Sequence, residues 1–242
     1  MATMSESVRI TNPYVNGLGI SWASNTTLTI AAGQCSDSSN NYDIKVASAL
    51  TLNAAVVGAN GIDTGTLGAS TVYNVFVIWQ QTVQSVPAVI LSTAAIPIMP
   101  LGYDIYRRIG YATTDGSSHF VIAYQFGTGL TRKYLYDAPI SVLSGGTSGT
   151  YAAVSLAGAV PAISTNVIFN AGCAPTAAGN TAVIRPSGSA STTFRTINGA
   201  VAATIQWGEI TVPSLVVSSA AKVDYLVTGA LTLLVAGFED NL

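Results

Sequence analysis

The only histidine of the chain, His119, is the residue best suited to acid–base chemistry. An imidazole changes charge near neutral pH and can act as a general base. A Ser-His-Asp triad would need Asp104 or Asp115 beside it, but there is no Gly-x-Ser-x-Gly motif to present a serine. No second histidine or clustered cysteine completes a zinc ligand set. Because His119 follows an Asp-Gly pair, we interpret it as a surface residue of a turn.

Two carboxylates, Asp37 and Asp43, lie in one polar loop and could in principle cleave a glycosidic bond, which requires a pair of acids. Tyr42 between them could stack on a sugar. The same loop could hold Ca²⁺ through Asp37, Ser39 and Asn41, although it lacks the glycine and terminal glutamate of an EF-hand. Asp and Asn also form local turns with their own backbone, and we favour that structural interpretation.

Phosphate and nucleic-acid chemistry are not indicated. The segment 17–19 is too short for a dinucleotide-binding fingerprint, and the glycine-rich segment 58–68 has no lysine in P-loop spacing. Arg107 and Arg108 form a doublet of arginines, and strand alternation would send them to opposite faces; one of them could pair with an acid at a subunit contact. The sequence therefore predicts no catalytic, cofactor-binding or metal-binding residue.

The composition of the chain indicates the type of secondary structure that positions the residues considered above. Only 8% of the 242 residues are charged, against about 25% in ordinary domains, whereas 49% are hydrophobic. This combination excludes a disordered chain, and the net charge of −2 excludes a basic nucleic-acid-binding surface. Surface helices are rich in Glu and Lys, which are scarce here, whereas β-formers and the turn-formers Gly and Pro are abundant. The sequence predicts an all-β protein.

The cellular compartment is predicted from targeting signals and cysteine usage. Residues 1–10 lack the basic and apolar regions of a signal peptide. The apolar segment 225–238 is too short for a membrane span and is interrupted as a buried strand pair with a turn would be. The two cysteines, Cys35 and Cys173, favour buried free thiols over a disulfide framework. We expect a soluble protein that is synthesised in a reducing cytoplasm.

Individual strands are indicated by apolar patterns. Residues 71–79 are almost continuously apolar or β-branched, which predicts a central strand covered on both faces. Residues 87–92 predict a further short strand. The runs 106–113 and 118–126 flank Asp115-Gly116, and this arrangement predicts a β-hairpin.

A change of composition divides the chain near residues 137–150, where the run 144–149 is rich in Ser and Gly. We predict two linked β domains, residues 1–137 and residues 138–242. The second has the length of a small antiparallel β-sandwich and is predicted to be jelly-roll-like. A hairpin that crossed the boundary would instead make one domain. The apolar segment 231–234 suits either a core strand or a subunit interface.

Four segments together resemble a group of tailed-bacteriophage virion proteins, in which an IAAG…DS…DI segment and a GYD.YRRIG…DGS segment recur in an N-terminal β domain. The resemblance covers residues 17–137, and its matching segments are 33–38 with Asp43-Ile44, 58–65, 101–110 and 114–117. It implies a virion part and carries no catalytic residues. It also implies assembly on a particle, and by analogy with phage fibres we expect a homotrimer.

Three functions follow as hypotheses. The first is a non-enzymatic structural protein of the virion, of the tail-fibre or receptor-binding type, whose N-terminal domain attaches to other virion proteins. The main alternative within this class is a capsid decoration or head-fibre protein. The second class is a carbohydrate-binding module, in which exposed aromatic residues such as Tyr42 or Tyr151 would contact a host glycan. The third is a glycan hydrolase that uses Asp37 and Asp43, which we do not favour because acids are so few.

Overall fold

The protein is all-β, as the composition predicts. A computed structural model describes residues 13–81, 86–213 and 221–242, and this part of the chain contains nineteen strands and no helix. Every strand pair is antiparallel except one short parallel pair. No helix in these ranges is long and apolar enough to span a membrane.

The first half of the chain forms three small sheets. Its strands are β1 (Val15–Gly17), β2 (Ile20–Ser24), β3 (Thr27–Ile30), β4 (Gly33–Ser36), β5 (Asp43–Val46), β6 (Leu50–Asn53), β7 (Gly61–Ile62), β8 (Val72–Trp79), β9 (Ala88–Ser92) and β10 (Ile105–Thr113). The sheet orders are β1-β4-β5, β2-β3-β6 and β10-β8-β9-β7, with β7 parallel to β9.

Strand β8 is the central strand that its apolar sequence predicts. It pairs with β10 on one edge and with β9 on the other, and both of its faces are buried. Side chains on one face, such as Val75 and Val77, join the main core of this half, whereas Phe76 and Ile78 on the other face join a smaller cluster. The predicted strand at residues 87–92 is also present, as β9.

The second half of the chain forms two larger sheets. Its strands are β11 (Ala123–Phe126), β12 (Thr131–Gly146), β13 (Ala152–Ser155), β14 (Asn166–Pro175), β15 (Thr181–Pro186), β16 (Arg195–Asn198), β17 (Gln206–Pro213), β18 (Lys222–Val227) and β19 (Gly229–Asn241). A five-stranded sheet has the order β11-β12-β19-β14-β17, and a four-stranded sheet has the order β13-β18-β15-β16.

These two sheets share one hydrophobic core. Phe169 and Leu233 from the five-stranded sheet belong to the same buried cluster as Ile184 and Val223 from the four-stranded sheet. The apolar segment 225–238 supplies both sheets, because β18 and β19 follow each other in sequence but pair with different partners. The predicted break within this segment is therefore correct, but the two strands are not paired with each other.

The predicted domain boundary between residues 137 and 138 lies inside β12. This strand pairs with β19 from Thr131 to Gly146, with register shifts between Leu135 and Ile140 and further along, and its first part also pairs with β11. The core of the second half also includes Tyr111, which lies in β10. One continuous strand therefore occupies the place where a linker was expected.

The predicted hairpin around Asp115-Gly116 is wrong beyond its turn. The turn forms, and a single antiparallel bridge joins Thr114 to Phe120. The flanking strands then separate, since β10 pairs with β8 and β11 pairs with β12. Both runs find longer partners elsewhere in the fold, so the local turn signal does not decide the pairing.

Candidate functional site

The Asp37 loop is a structural turn. Its carboxylate accepts hydrogen bonds from the backbone amides of Ser39, Asn41 and Tyr42 at 2.7–3.0 Å, and also from the Ser39 hydroxyl. Burial opposes ionisation of Asp37, but these hydrogen bonds outweigh it and place its pKa below the ordinary value. Both carboxylate oxygens of Asp37 accept hydrogen bonds from its own loop, so the side chain stabilises the turn. This is the structural interpretation that we favoured from the sequence.

The second carboxylate of that loop, Asp43, lies at the start of β5 and accepts a hydrogen bond from the Tyr14 hydroxyl at 2.9 Å. Tyr42 is half-buried. Among the described residues, no three His, Cys, Asp or Glu side chains form a group that could hold a metal ion.

Arg107 and Arg108 have different main partners, although both also donate to carbonyl groups at the C-terminal end, of Leu242 and Asn241 respectively. Arg107 is buried and donates to the carbonyl of Asp37 and to the side chain of Asn40. Arg108 donates to the carboxylate of Asp240 at 3.3 Å. The acid that pairs with Arg108 therefore belongs to the same chain, and the pair joins β10 to β19 rather than one subunit to another.

Both cysteines are buried free thiols in the structure, as their spacing suggested. Burial raises the pKa of Cys35 to about 12, although the charge of Arg107 acts in the opposite direction. Burial also raises the pKa of Cys173. Neither thiol has the properties of a nucleophile, which needs a depressed pKa and access to solvent.

His119 and Asp115 face each other across the turn that contains both. The Asp115 carboxylate accepts hydrogen bonds from the backbone amides of Ser117 and His119, and these bonds lower its pKa. Its other oxygen lies 3.9 Å from Nδ1 of His119, and both side chains are about half-exposed. Asp104 is not part of this pair; it accepts a hydrogen bond from the backbone amide of Gln81.

A groove of about 550 Å³ opens beside this turn, between the two halves of the chain. One wall comes from the segments 22–25 and 114–122, and the other from the segments 138–142 and 157–159. Its lining combines the indole of Trp22 and apolar side chains with the polar groups of Asn25, Asp115, His119 and Ser141. Concave sites of mixed polarity at such junctions are the usual form of a ligand site.

The sequence could not indicate this groove, although His119 and Asp115 were both singled out. Its lining comes from separate segments of the chain between residues 22 and 159, and neither Trp22 nor Asn25 carried a local signal. Tyr151, which we considered as a sugar-stacking residue, is covered on its ring by the guanidinium of Arg185 at 3.3 Å and donates its hydroxyl to Thr192.

A second surface feature is the outer face of the five-stranded sheet. Cross-strand register places Tyr124 opposite Leu135 and Phe126 opposite Lys133, and at the far edge Trp207 lies opposite Gly172. Tyr124 and Phe126 are each 51% exposed, and Trp207 is 55% exposed. We call this surface, defined by the outward residues of β11, β12, β19, β14 and β17, the outer sheet face.

Comparison with known proteins gives no match. No protein-family model, no curated protein and no solved structure is significantly similar to this chain.

Proposed function

We propose that the protein is a non-enzymatic structural component of a tailed-phage virion, of the tail-fibre or receptor-binding type, and that it assembles as a symmetric homo-oligomer. The observation that carries this proposal is the outer sheet face. It has exposed aromatic residues at both edges, Tyr124 and Phe126 on β11 and Trp207 on β17. Exposed aromatic side chains at both edges of one sheet face support its use as an interface, where aromatic residues are enriched.

The composition of the chain supports self-association. Only 8% of the residues are charged, so few charged side chains are present on the surface to repel other copies of the protein in solution. Aromatic side chains are enriched in protein interfaces, whereas charged residues are depleted from their centres. Within the outer sheet face, Lys133 and Glu239 lie opposite each other in register. Their opposite charges therefore offset each other.

The proposed organisation has two parts. Residues 1–137 would supply the part that attaches to other virion proteins, and residues 138–242, completed by β11 and the start of β12, would form a jelly-roll-like sandwich that faces the host. By analogy with phage fibres, the oligomer would be a homotrimer, located in the virion after synthesis in the host cytoplasm. The resemblance of residues 17–137 to tailed-phage virion proteins favours this assignment over other self-associating β proteins.

The oligomeric mass of the purified chain, measured by light scattering, is the first test. We expect the mass of a trimer, whereas a stable monomer at micromolar concentration would contradict the proposal. Electron microscopy of virions labelled with antibody against the chain is the second test. Label on the tail would support the tail-fibre proposal. Label on the head would contradict it and favour the alternative, a capsid decoration or head-fibre protein.

The carbohydrate-binding alternative is favoured by one specific observation, the groove beside Trp22 and His119. A receptor-binding virion protein needs a site for a host surface molecule, so this activity is compatible with the structural role.

A further inference from the structure

We infer that the groove between the two halves binds a neutral saccharide unit of a glycan. Trp22 supplies the apolar surface, and Asn25, Asp115 and His119 supply the hydrogen-bonding groups. The inference rests on the proposed receptor-binding role only for the source of the glycan, which would be the host surface.

The indole of Trp22 is held in one position. It lies on β2, and its Nε1 donates a hydrogen bond to the carbonyl of Phe120 at 3.1 Å, across 98 residues of sequence. Trp22 is 37% exposed and lines the groove. Because its only polar atom is already bonded, the ring can offer a ligand its apolar face alone. A sugar ring, with C–H groups on one side and hydroxyls at its rim, suits such a surface.

The polar groups beside the indole are partly free. The Asp115 carboxylate is oriented by two backbone amides on Oδ1, and within the described ranges the partner recorded for its Oδ2 is His119 Nδ1 at 3.9 Å. The backbone carbonyl of Asn25 accepts a hydrogen bond from the amide of Phe120, but its exposed side-chain amide has no hydrogen bond among the described residues. Together these groups provide donors and acceptors for the hydroxyls of a sugar.

The charge of the groove selects among saccharides. Among the described residues that line it, Asp115 is the only carboxylate and His119 the only basic side chain. The pKa of Asp115 lies below its ordinary value because backbone amides donate to it, so it is ionised at neutral pH. A sugar acid would bring a second negative charge beside it, which is unfavourable. We therefore infer a neutral sugar rather than an acidic one.

The groove is also preorganised, which reduces the entropy lost on binding. The carbonyl of Asp115 accepts a hydrogen bond from the amide of Ser70 at 2.8 Å. At the opposite wall, Gly158 has a φ of +83° and lies so close to the carbonyl of Ser70 that a Cβ would collide with it. These contacts hold the turn that contains Asp115 against the second half of the chain.

The test uses the full chain and an array printed with neutral and acidic bacterial surface polysaccharides. Calorimetry then measures the affinity per subunit for a short oligosaccharide of the best-binding neutral polysaccharide. We expect Trp22→Ala and Asn25→Ala each to weaken this affinity at least about tenfold, which corresponds to the loss of one good contact. Leu101→Ala is the control; it removes an exposed apolar side chain outside both the groove and the outer sheet face, and we expect it to leave the affinity unchanged.

Three results would overturn the inference: an array without binding, preferential binding of acidic polysaccharides, or an affinity that the Asn25 and Trp22 variants do not change. Asn25 is exposed in a turn, so its variant remains informative if Trp22→Ala does not fold. If the groove does not bind a neutral saccharide, the proposed function still stands, provided that the chain is a trimer and that the antibody against it labels the virion. Conversely, glycan binding by a monomer would refute the proposed assembly but would support the inference that the groove binds a saccharide.

Discussion

The guanidinium of Arg108 donates to the carboxylate of Asp240 at 3.3 Å, across 132 residues of sequence. Asp240 is buried, and its burial raises its pKa although the charge of Arg108 lowers it. We predict that Arg108→Ala lowers the free energy of unfolding by about 3 kcal/mol, because it leaves a buried carboxylate without its partner. Urea denaturation measures this change. Lys222→Ala removes an exposed charge and serves as the control; equal effects of the two variants would contradict the prediction.

The Asp37 turn predicts a pH-dependent contribution to stability. The pKa of Asp37 is lower in the folded chain than the ordinary value of about 3.9. Its stabilisation is therefore fully present above pH 4 and is lost as the pH falls through the folded pKa. We expect Asp37→Asn to cost about 2 kcal/mol at pH 7, because three backbone amides lose a charged acceptor.

Denaturation of Asp37→Asn and the wild-type chain at several pH values checks this dependence. The difference between them should shrink below about pH 4. Asp137→Asn, in an exposed position, is the control. A difference that stays constant from pH 7 to pH 3 would show that the charge of Asp37 is not what stabilises the turn.

The outer sheet face predicts which substitutions dissociate the oligomer. We expect the combined variant Tyr124→Ser, Phe126→Ser and Trp207→Ser to remain folded and to become monomeric, because these side chains are exposed and lie outside the core. Light scattering measures the mass, and circular dichroism verifies the fold. Ile96→Ser with Ile98→Ser removes comparable exposed apolar groups from another surface. Dissociation by that control alone would place the interface elsewhere.

The close contact of β19 with β12 predicts a position that excludes a side chain. A Cβ at Gly237 would collide with the carbonyl oxygen of Tyr134 on the neighbouring strand. We expect Gly237→Ala to lower the free energy of unfolding by about 2 kcal/mol or more, and therefore to lower the melting temperature. Gly116→Ala is the matched control, since a Cβ there meets no atom within 4 Å. Similar melting temperatures for the two variants would contradict the contact.

The buried thiols predict a simple reactivity pattern. With the pKa of Cys35 raised to about 12, its thiolate fraction at pH 8 is on the order of one in ten thousand. We expect neither Cys35 nor Cys173 to react with a thiol reagent in the native chain within minutes, and both to react in denaturant. Rapid labelling of the native protein would show that these residues are accessible.

Some of the fold could be predicted from local sequence. The apolar run 71–79 predicted a strand buried on both faces, and β8 has this environment because two strands flank it and a cluster covers each side. The polar residues around Asp37 predicted a turn, which requires only neighbouring backbone amides. In both cases the information lies within ten residues of the element concerned.

Strand pairing and the groove could not be predicted in this way. The Asp115-Gly116 turn was correct, but the partners of β10 and β11 are chosen by contacts with β8 and β12. The groove depends on the approach of residues 138–142 and 157–159 to the turn at His119, and nothing in the local sequence encodes that approach. The covering of Tyr151 by Arg185 depends equally on tertiary structure.

Strand β12 has a consequence for how the molecule would respond to cleavage. Before position 137 the strand lies between β11 and β19 and pairs with both, and from Ile140 onward it continues along β19. Residues 137–139 are exposed, but a cut there would leave the strand segments on both sides held in their ladders. A chain that ended at residue 137 would leave the first part of β12 without its neighbour β19. The protein should therefore resist separation into two fragments, and its halves should lose structure together on heating.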